Sequence, residues 1–291
     1  MDYIYHLVTF IALYTILASS LNLFSGYTGL LSLSHAGFYG IGAYISALLS
    51  IHYGISPYTN IFISMLFSGF IAFVVSFIAL RTYEDYFVVV TLGIQVIITS
   101  LMNNLTDITN GPLGIVGIES FPFLENNLTF MFFSVGLMGM VYYLLHNFAK
   151  SHYALYLKGI KEDEVYMLSL GKDVKKMKIQ TFVISASLAS VAGVLYAHYI
   201  SYIDPTSFTV DESIFILSIV IIGGLGSLRG SLMASAFMVL LPELLRFVGL
   251  PDSIAANMRQ IIYGLVLIGV IVWQDKSPLC QDSCRPSKLG F

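Results

Sequence analysis

At 291 residues, 57% of them hydrophobic and only 11% charged, the chain carries less than half of the roughly 25% charged share of a soluble domain. Its mean hydropathy of +0.82 leaves too little polar surface to cover a water-soluble globule, which excludes a soluble enzyme, a nucleic-acid binder and a secreted disulfide scaffold. The net charge of −3 marks neither a polybasic lipid anchor nor a nucleic-acid surface. What remains is an all-α polytopic membrane protein, with apolar residues for about eight to nine spans of roughly 20 residues each.

In chain order the apolar runs fall at 3–24, 30–51, 58–80, 86–103, 128–147, 179–202, 213–228, 230–247 and 257–274. The first is long enough to span and no small-residue cleavage site follows it, so it reads as a helix rather than a signal peptide. Gly29, Gly37, Gly40 and Gly42 punctuate the second. Arg81, Glu84 and Asp85 mark the turn from the third to the fourth, and Asn103, Asn104 and Asn110 crowd the far end of the fourth. The seventh and eighth are short and meet at Gly223, Gly224, Gly226 and Gly230. They are either two crossings or one broken, partly re-entrant element, because glycine costs little where backbone bends in a protein-lined interior. Glu243 and Arg246, three apart on one helical face, read as a mutual pair. The membrane domain is 1–275, and 276–291 is a polar tail whose Cys280 and Cys284 read as reduced bystander thiols.

Lysine placement sets the sidedness. Residues 150–178 hold Lys150, Lys158, Lys161, Lys172, Lys175, Lys176 and Lys178, half of the 14 Lys plus Arg in the chain. The segment 104–127 has Asp107, Glu119 and Glu125, and 203–212 has Asp204, Asp211 and Glu212, both without Lys or Arg. The positive-inside rule puts 150–178 in the cytoplasm and the two acidic loops outside. Arg81, Lys276, Arg285 and Lys288 then also fall inside, and nine crossings put the N-terminus outside.

The basic segment is patterned. Leu155, Leu157, Ile160, Val165, Tyr166, Leu168, Leu170, Val174, Met177 and Ile179 alternate with charge at helical intervals. This predicts one or two short amphipathic helices ending near Gly171 as a C-cap, able to lie on lipid or dock in a groove of a cytoplasmic partner. The chain has no G-x-x-x-x-G-K-[ST] phosphate loop, no H-E-x-x-H, no G-x-S-x-G and no kinase set. It is therefore read as no enzyme, with no cofactor of its own and no ATP hydrolysis of its own.

Glycine and hydroxyl residues are densest at Gly26, Gly29, Ser32, Ser34, His35, Gly37, Gly40 and Gly42 and again at Gly223, Gly224 and Gly226. Two roles fit that spacing. One is a tight helix–helix seam; the other is the lining of a substrate pathway, where bent backbone and hydroxyls face a polar solute. His35 is ionisable within a span, by default a functional candidate, and equally satisfied by a bond to a neighbouring hydroxyl.

Several stretches together resemble one family, the permease subunits of branched-chain amino acid ABC importers, the Liv type. They are residues 21–44 (LNLFSGYTGLLSLSHAGFYGIGAY), 108–118 (ITNGPLGIVGI), 170–174 (LGKDV), 185–193 (SASLASVAG), 223–230 (GGLGSLRG) and 241–246 (LPELLR). They run in the family's order from about 20 to 275, and the second and fifth are more LivM-like than LivH-like. The resemblance implies a multi-pass subunit of a bacterial or archaeal cytoplasmic (inner) membrane. Its partners would be a second, LivH-like permease, two cytoplasmic ATPase subunits, membrane lipid and an extracytoplasmic substrate-binding protein docked on the acidic loops. Nucleic acid is not among them. It implies a pathway for branched-chain amino acids worked by alternating access, with ATP hydrolysed on the partner subunits. The alternatives are the same machinery carrying urea, short amides or other amino acids, or an ion-coupled secondary transporter. By position, residues 164–171 match the family's ATPase-coupling helix, with Lys161, Glu164, Tyr166, Met167 and Gly171 as its contact candidates. Tyr166 and Met167 stand where the family has paired alanines, Lys161 stands for a frequent arginine, and Gln95 stands where the family often has an acid.

Overall fold

A computed structural model describes residues 2–81, 84–122, 124, 126–246, 264–265 and 269. Residues 1–239 form one compact unit and 240–291 a second. The expected span at 257–274, the Glu243–Arg246 pair and the tail with Cys280 and Cys284 lie wholly or in part outside the described residues, as do the side chains of Glu84 and Asp85.

The first unit is built from helices. In order these are α1 (Asp2–Thr28), α2 (His35–Tyr53), α3 (Pro57–Ala79), α4 (Glu84–Asn104), the single turn α5 (Thr106–Thr109), α6 (Asn127–Ala149), α7 (His152–Glu162), α8 (Glu164–Ser169), α9 (Val174–Ile200), α10 (Val210–Gly223) and α11 (Leu228–Arg246), the last running on past residue 239. Five of them, α1, α3, α4 from Tyr86, α6 and α9, are long and apolar enough to cross a bilayer by length and composition. Of the remaining expected spans among the described residues, α2 and α11 have 19 residues each and α10 is shorter. Helix α2 starts late because 29–34 is non-helical, and α10 has 14 residues, about 21 Å of helix against a hydrocarbon core of about 30 Å.

Two helices form the centre. From Thr15 to Thr28 every residue of α1 is buried, and α9 packs against α1, α2 and α3. Helix α3 shows the membrane version of amphipathicity. Asn60, Ser64, Ser68, Ala72 and Ser76 recur every fourth residue and are buried, while Phe62, Leu66, Phe70, Phe73 and Phe77 are exposed. In lipid, large apolar side chains gain nothing by turning inward, whereas small ones let backbones approach and hydroxyls bond across helices. Ser64 Oγ donates to Gly42 O (3.3 Å) and Ser68 Oγ to Ala186 O (3.1 Å).

Backbone meets backbone between α2 and α9. A Cβ on Gly193 would overlap the carbonyl oxygen of Tyr39, and one on Gly42 the backbone of Ser190. A similar glycine contact, Gly223 on Gly230, closes α10 and α11 into a hairpin whose turn is made by Gly224 (φ +87°) and Gly226 (φ +86°). The glycine-rich meeting point is thus two helices joined by a tight turn.

The two acidic loops share one face. A short antiparallel ladder pairs β1 (Ile115–Val116) with β2 (Tyr202–Ile203), in register Ile115↔Ile203 and Val116↔Tyr202. His198 adds a second tie. Its Nδ1 lies 2.5 Å from Glu119 O and must carry the proton, so Nε2 accepts from Ser46 Oγ at 2.7 Å. The start of α1 is at this face too, with His6 Nδ1 bonded to Tyr199 OH (3.0 Å). Its other end meets the basic segment, where Lys161 Nζ donates to Gly26 O (3.2 Å). The first turn of α1 and both acidic loops therefore lie opposite the lysine-rich helices.

Candidate functional site

Helix α2 begins inside the bundle. Residues 30–34 run non-helical and largely buried, and the backbone is satisfied by tertiary partners, Leu33 N–H donating to Thr91 Oγ1 (3.1 Å). His35 opens the helix beside Ser185, near the middle of α9, and Gly37 lies beside Gln95, near the middle of α4. The positive end of the α2 dipole consequently sits at mid-depth. Its cap residue Ser34 makes no side-chain cap bond; other helices serve the first-turn amides.

Gln95 is the hub of that arrangement. Its Oε1 accepts from Gly37 N–H (2.6 Å) and Ser213 Oγ (3.3 Å), and its Nε2 donates to Phe208 O (2.7 Å) and Thr99 Oγ1 (3.3 Å). Ala36 N–H donates to Ser213 Oγ (3.1 Å). A backbone donor at one end and a carbonyl at the other fix the amide in one orientation and disfavour a carboxylate. This accounts for glutamine here in place of an acid: one carboxylate oxygen would face the Phe208 carbonyl. We expect Gln95→Glu to lose more thermal stability in detergent than Gln95→Leu. The leucine variant leaves the Gly37 N–H unpaired, about 1–3 kcal/mol, while Thr99 still serves Phe208 O. The glutamate variant adds a buried unpaired charge. Equal unfolding midpoints for the two variants would contradict this orientation.

His35 is wholly buried and its tautomer follows from its neighbour. Ser185 Oγ donates its one proton to the carbonyl of Ser20, so His35 Nε2 must donate to Ser185 Oγ, 3.0 Å away. Nδ1 then carries a lone pair, and it has no partner among the described residues. A third hub lies two residues beyond Ser20, where Asn22 Oδ1 accepts from Gly226 N–H (2.7 Å). Its Nδ2 donates to Ser231 Oγ (2.7 Å), Ser227 O (3.1 Å) and Gly224 O (3.3 Å). Ser20 and Asn22 are two residues apart on α1, and His35 and Gly37 two apart on α2, so the three neutral hubs lie at similar depth in the bundle, on different sides of those helices. No group of three His, Cys, Asp or Glu among the described residues could hold a metal.

The glycines named from sequence divide by what stands where a side chain would be. Gly26 is against Gly226, Gly37 against Gln95 and Ile98, Gly40 against Phe208, Gly42 against Ser190 and Gly223 against Gly230. These are seam positions in this conformation. Gly29 (φ +80°), Gly224 and Gly226 are bends. Ser32 and Ser34 bond each other (3.0 Å). Sequence reasoning passed over Asn22, Gln95 and Ser185 as site residues; a lone amide inside each of two apolar runs was the available signal.

At the basic face, α7 and α8 are held by a buried cluster of Tyr27, Leu157, Ile160, Met167, Val174 and Met177. Asp163 caps α8, its Oδ1 accepting from Tyr166 N–H (2.9 Å), and Gly171 ends it at φ +73°. Of the five coupling candidates, three face inward: Lys161 bonds Gly26 O, Glu164 pairs with Lys178 (2.7 Å) and Met167 is buried. Tyr166 is 60% exposed beside Val165, at 75%, with Leu168 and Leu170 also outward. Gly171 has open space around it.

Fold and site together define an all-α polytopic membrane protein with neutral polar hubs inside its bundle and exposed apolar side chains on its basic face. The chain belongs to the family described as branched-chain amino acid transport system / permease component, which matches residues 3–271. It is 32% identical over 267 residues to the high-affinity branched-chain amino acid transport system permease protein LivM of Escherichia coli (strain K12), covering 82% of this chain and 63% of that protein's length. The probable branched-chain amino acid transport permease protein LivM of Methanocaldococcus jannaschii is 24% identical over 266 residues, 79% of this chain and 77% of its own. The probable LivH of the same organism is 26% identical over 210 residues, 66% of this chain and 64% of its own. No solved structure matches the chain.

Proposed function

We propose that this chain is the LivM-like permease subunit of an ATP-driven importer of branched-chain amino acids in a bacterial or archaeal cytoplasmic membrane. It pairs with a LivH-like permease and hydrolyses no ATP itself. The observation that carries the reading is the outward apolar face of α8, Val165, Tyr166, Leu168 and Leu170, anchored to the membrane bundle through Lys161 and the Lys178–Glu164 pair. Four large apolar side chains on a charged cytoplasmic surface belong in a partner's groove, here a cytoplasmic ATPase subunit. The acidic face, knitted by the β1–β2 ladder, receives the substrate-loaded binding protein.

In this reading ATP binding on the partners shifts α8, and the contacts at Gly26 and Met167 pass the shift to α1 and α9. The bundle then exchanges outward and inward openings. The solute passes the neutral hubs, where the His35 Nδ1 lone pair offers an acceptor to its ammonium N–H groups. A zwitterion with an apolar side chain suits hubs built from uncharged amide, hydroxyl and imidazole groups. The test is uptake of labelled leucine in cells with and without the gene, with excess unlabelled isoleucine, alanine or urea as competitor. We expect leucine uptake to need the gene and to be competed by isoleucine. Uptake that is unchanged by deletion would move the substrate to urea, amides or other amino acids.

A further inference from the structure

A groove of about 790 Å³ opens on the membrane-facing side of the bundle at its basic end, between α3, the end of α6, α7 and the start of α9. That volume is within the roughly 300–1,000 Å³ of small-molecule sites. Its two ends differ in chemistry. One is apolar, walled by Phe73, Phe77, Val183 and Ile184, with Phe73 and Phe77 set edge to face at 5.0 Å. The other carries Lys175, Lys176, Asp173, Gln180 and Tyr153.

The lysines of this face are not equivalent. Lys161 and Lys178 are spent on Gly26 O and Glu164, and Lys158 and Lys172 lie over the rings of Tyr27 (5.5 Å) and Tyr156 (4.2 Å). Lys175 and Lys176 end in no ion pair among the described residues. The one carboxylate beside them, Asp173, is turned to the backbone, accepting from Lys176 N–H at 3.0 Å to cap α9. Tyr153 OH lies within hydrogen-bond distance of both Met177 O (3.2 Å) and Gln180 Oε1 (2.9 Å), and the exposed Gln180 side chain brings an amide to this end. The polar end thus gathers two ammonium groups, a side-chain amide and the positive end of a 27-residue helix, directly against an apolar slot open to lipid.

We infer that this groove is a binding site for an anionic phospholipid, one acyl chain lying along Phe73, Phe77 and Ile184 and the phosphodiester held by Lys175 and Lys176. Charge complementarity selects the headgroup: basic pockets between membrane helices on the cytoplasmic side favour acidic lipids. The inference is independent of which solute is carried.

Native mass spectrometry of the full chain, purified in detergent with its co-purifying subunits, tests it with phosphatidylglycerol or phosphatidylcholine of identical acyl chains added in equal amount. Phosphatidylglycerol should be retained in preference. Lys175→Gln with Lys176→Gln should lower its retention by about thirtyfold, at roughly 1 kcal/mol per lysine, and leave phosphatidylcholine unchanged. Ile184→Trp, which fills the slot, should lower both. Equal retention of the two lipids by the unaltered protein, or phosphatidylglycerol retention indifferent to the lysine pair, would overturn the assignment. So would absence of bound lipid from the assembled complex, since a partner helix would then occupy the groove.

Discussion

Gly193→Leu is expected to abolish folded protein, while Gly136→Leu leaves it at the unaltered level. Both glycines lie in the middle of long apolar helices and both substitutions raise helix propensity. Their surroundings differ. At Gly193 a Cβ would overlap the Tyr39 carbonyl oxygen and press on Ala43 N; at Gly136 nothing stands within 4 Å. Backbone atoms cannot swing aside as a side chain can, so α2 and α9 would have to separate. Separation would take Gly42 off Ser190, and strain the His35–Ser185 and Ser46–His198 bonds (3.0 and 2.7 Å). Overpacking of a tight core costs about 1–3 kcal/mol or more, and the lost buried hydrogen bonds add about 1–3 kcal/mol each. Those terms together rival the about 5–15 kcal/mol of total stability typical of a domain. Fluorescence-detected size exclusion of tagged chains in detergent reads the result as the height of the monodisperse peak. Equal peaks for the two variants would mean that the α2–α9 seam does not hold the bundle together.

Gly171→Pro is expected to abolish leucine uptake with the protein still inserted at its normal level, whereas Gly171→Ala keeps most of the uptake. Gly171 adopts φ +73°, and its N–H donates to Leu168 O (2.9 Å) while Lys172 N–H reaches Met167 O (3.2 Å), closing α8. Proline holds φ near −65° and has no N–H, a cost of about 3 kcal/mol or more that the chain can relieve by re-aiming α8. Alanine tolerates the left-handed region at about 1–2 kcal/mol and keeps the hydrogen bond. The site is remote from the transmembrane seam and is surrounded by open space, so insertion should not suffer. Uptake at the unaltered rate by an inserted Gly171→Pro protein would remove α8 from the coupling role.

Much of this molecule was legible in its residues, and the reasons are local. Eight of the apolar runs correspond to helices because any backbone in lipid must satisfy its own hydrogen bonds. The lysine-rich segment between the fifth and sixth runs became α7 and α8, with Leu170 as the C-cap of α8 and Gly171 just past it in the left-handed conformation, since caps and amphipathic spacing act within a few residues. The placement of both acidic segments on one face opposite the lysines followed from charge counts alone, and the β1–β2 ladder joins them.

The rest needed partners far away in the chain. The run at 30–51 does not show that 29–34 is non-helical and that α2 starts only at His35, because buried irregular backbone and buried helix are equally apolar. Leu33 is satisfied by Thr91, 58 residues on. Glycine spacing alone left seam and pathway lining equally open. It also does not show which atoms of another helix stand at the place of the missing Cβ, and for Gly26, Gly42 and Gly223 these are atoms of residues 226, 190 and 230. The direction of Gln95, the tautomer of His35 and the division of the lysines into spent and unspent have the same origin. Each is fixed by which donor or acceptor a distant element brings within about 3 Å, and composition and periodicity carry no information about that. The sequence by itself therefore determined the class of protein, its helices and the ordering of its two faces. Only the tertiary structure decided which polar groups are used up inside the bundle and which remain for a ligand.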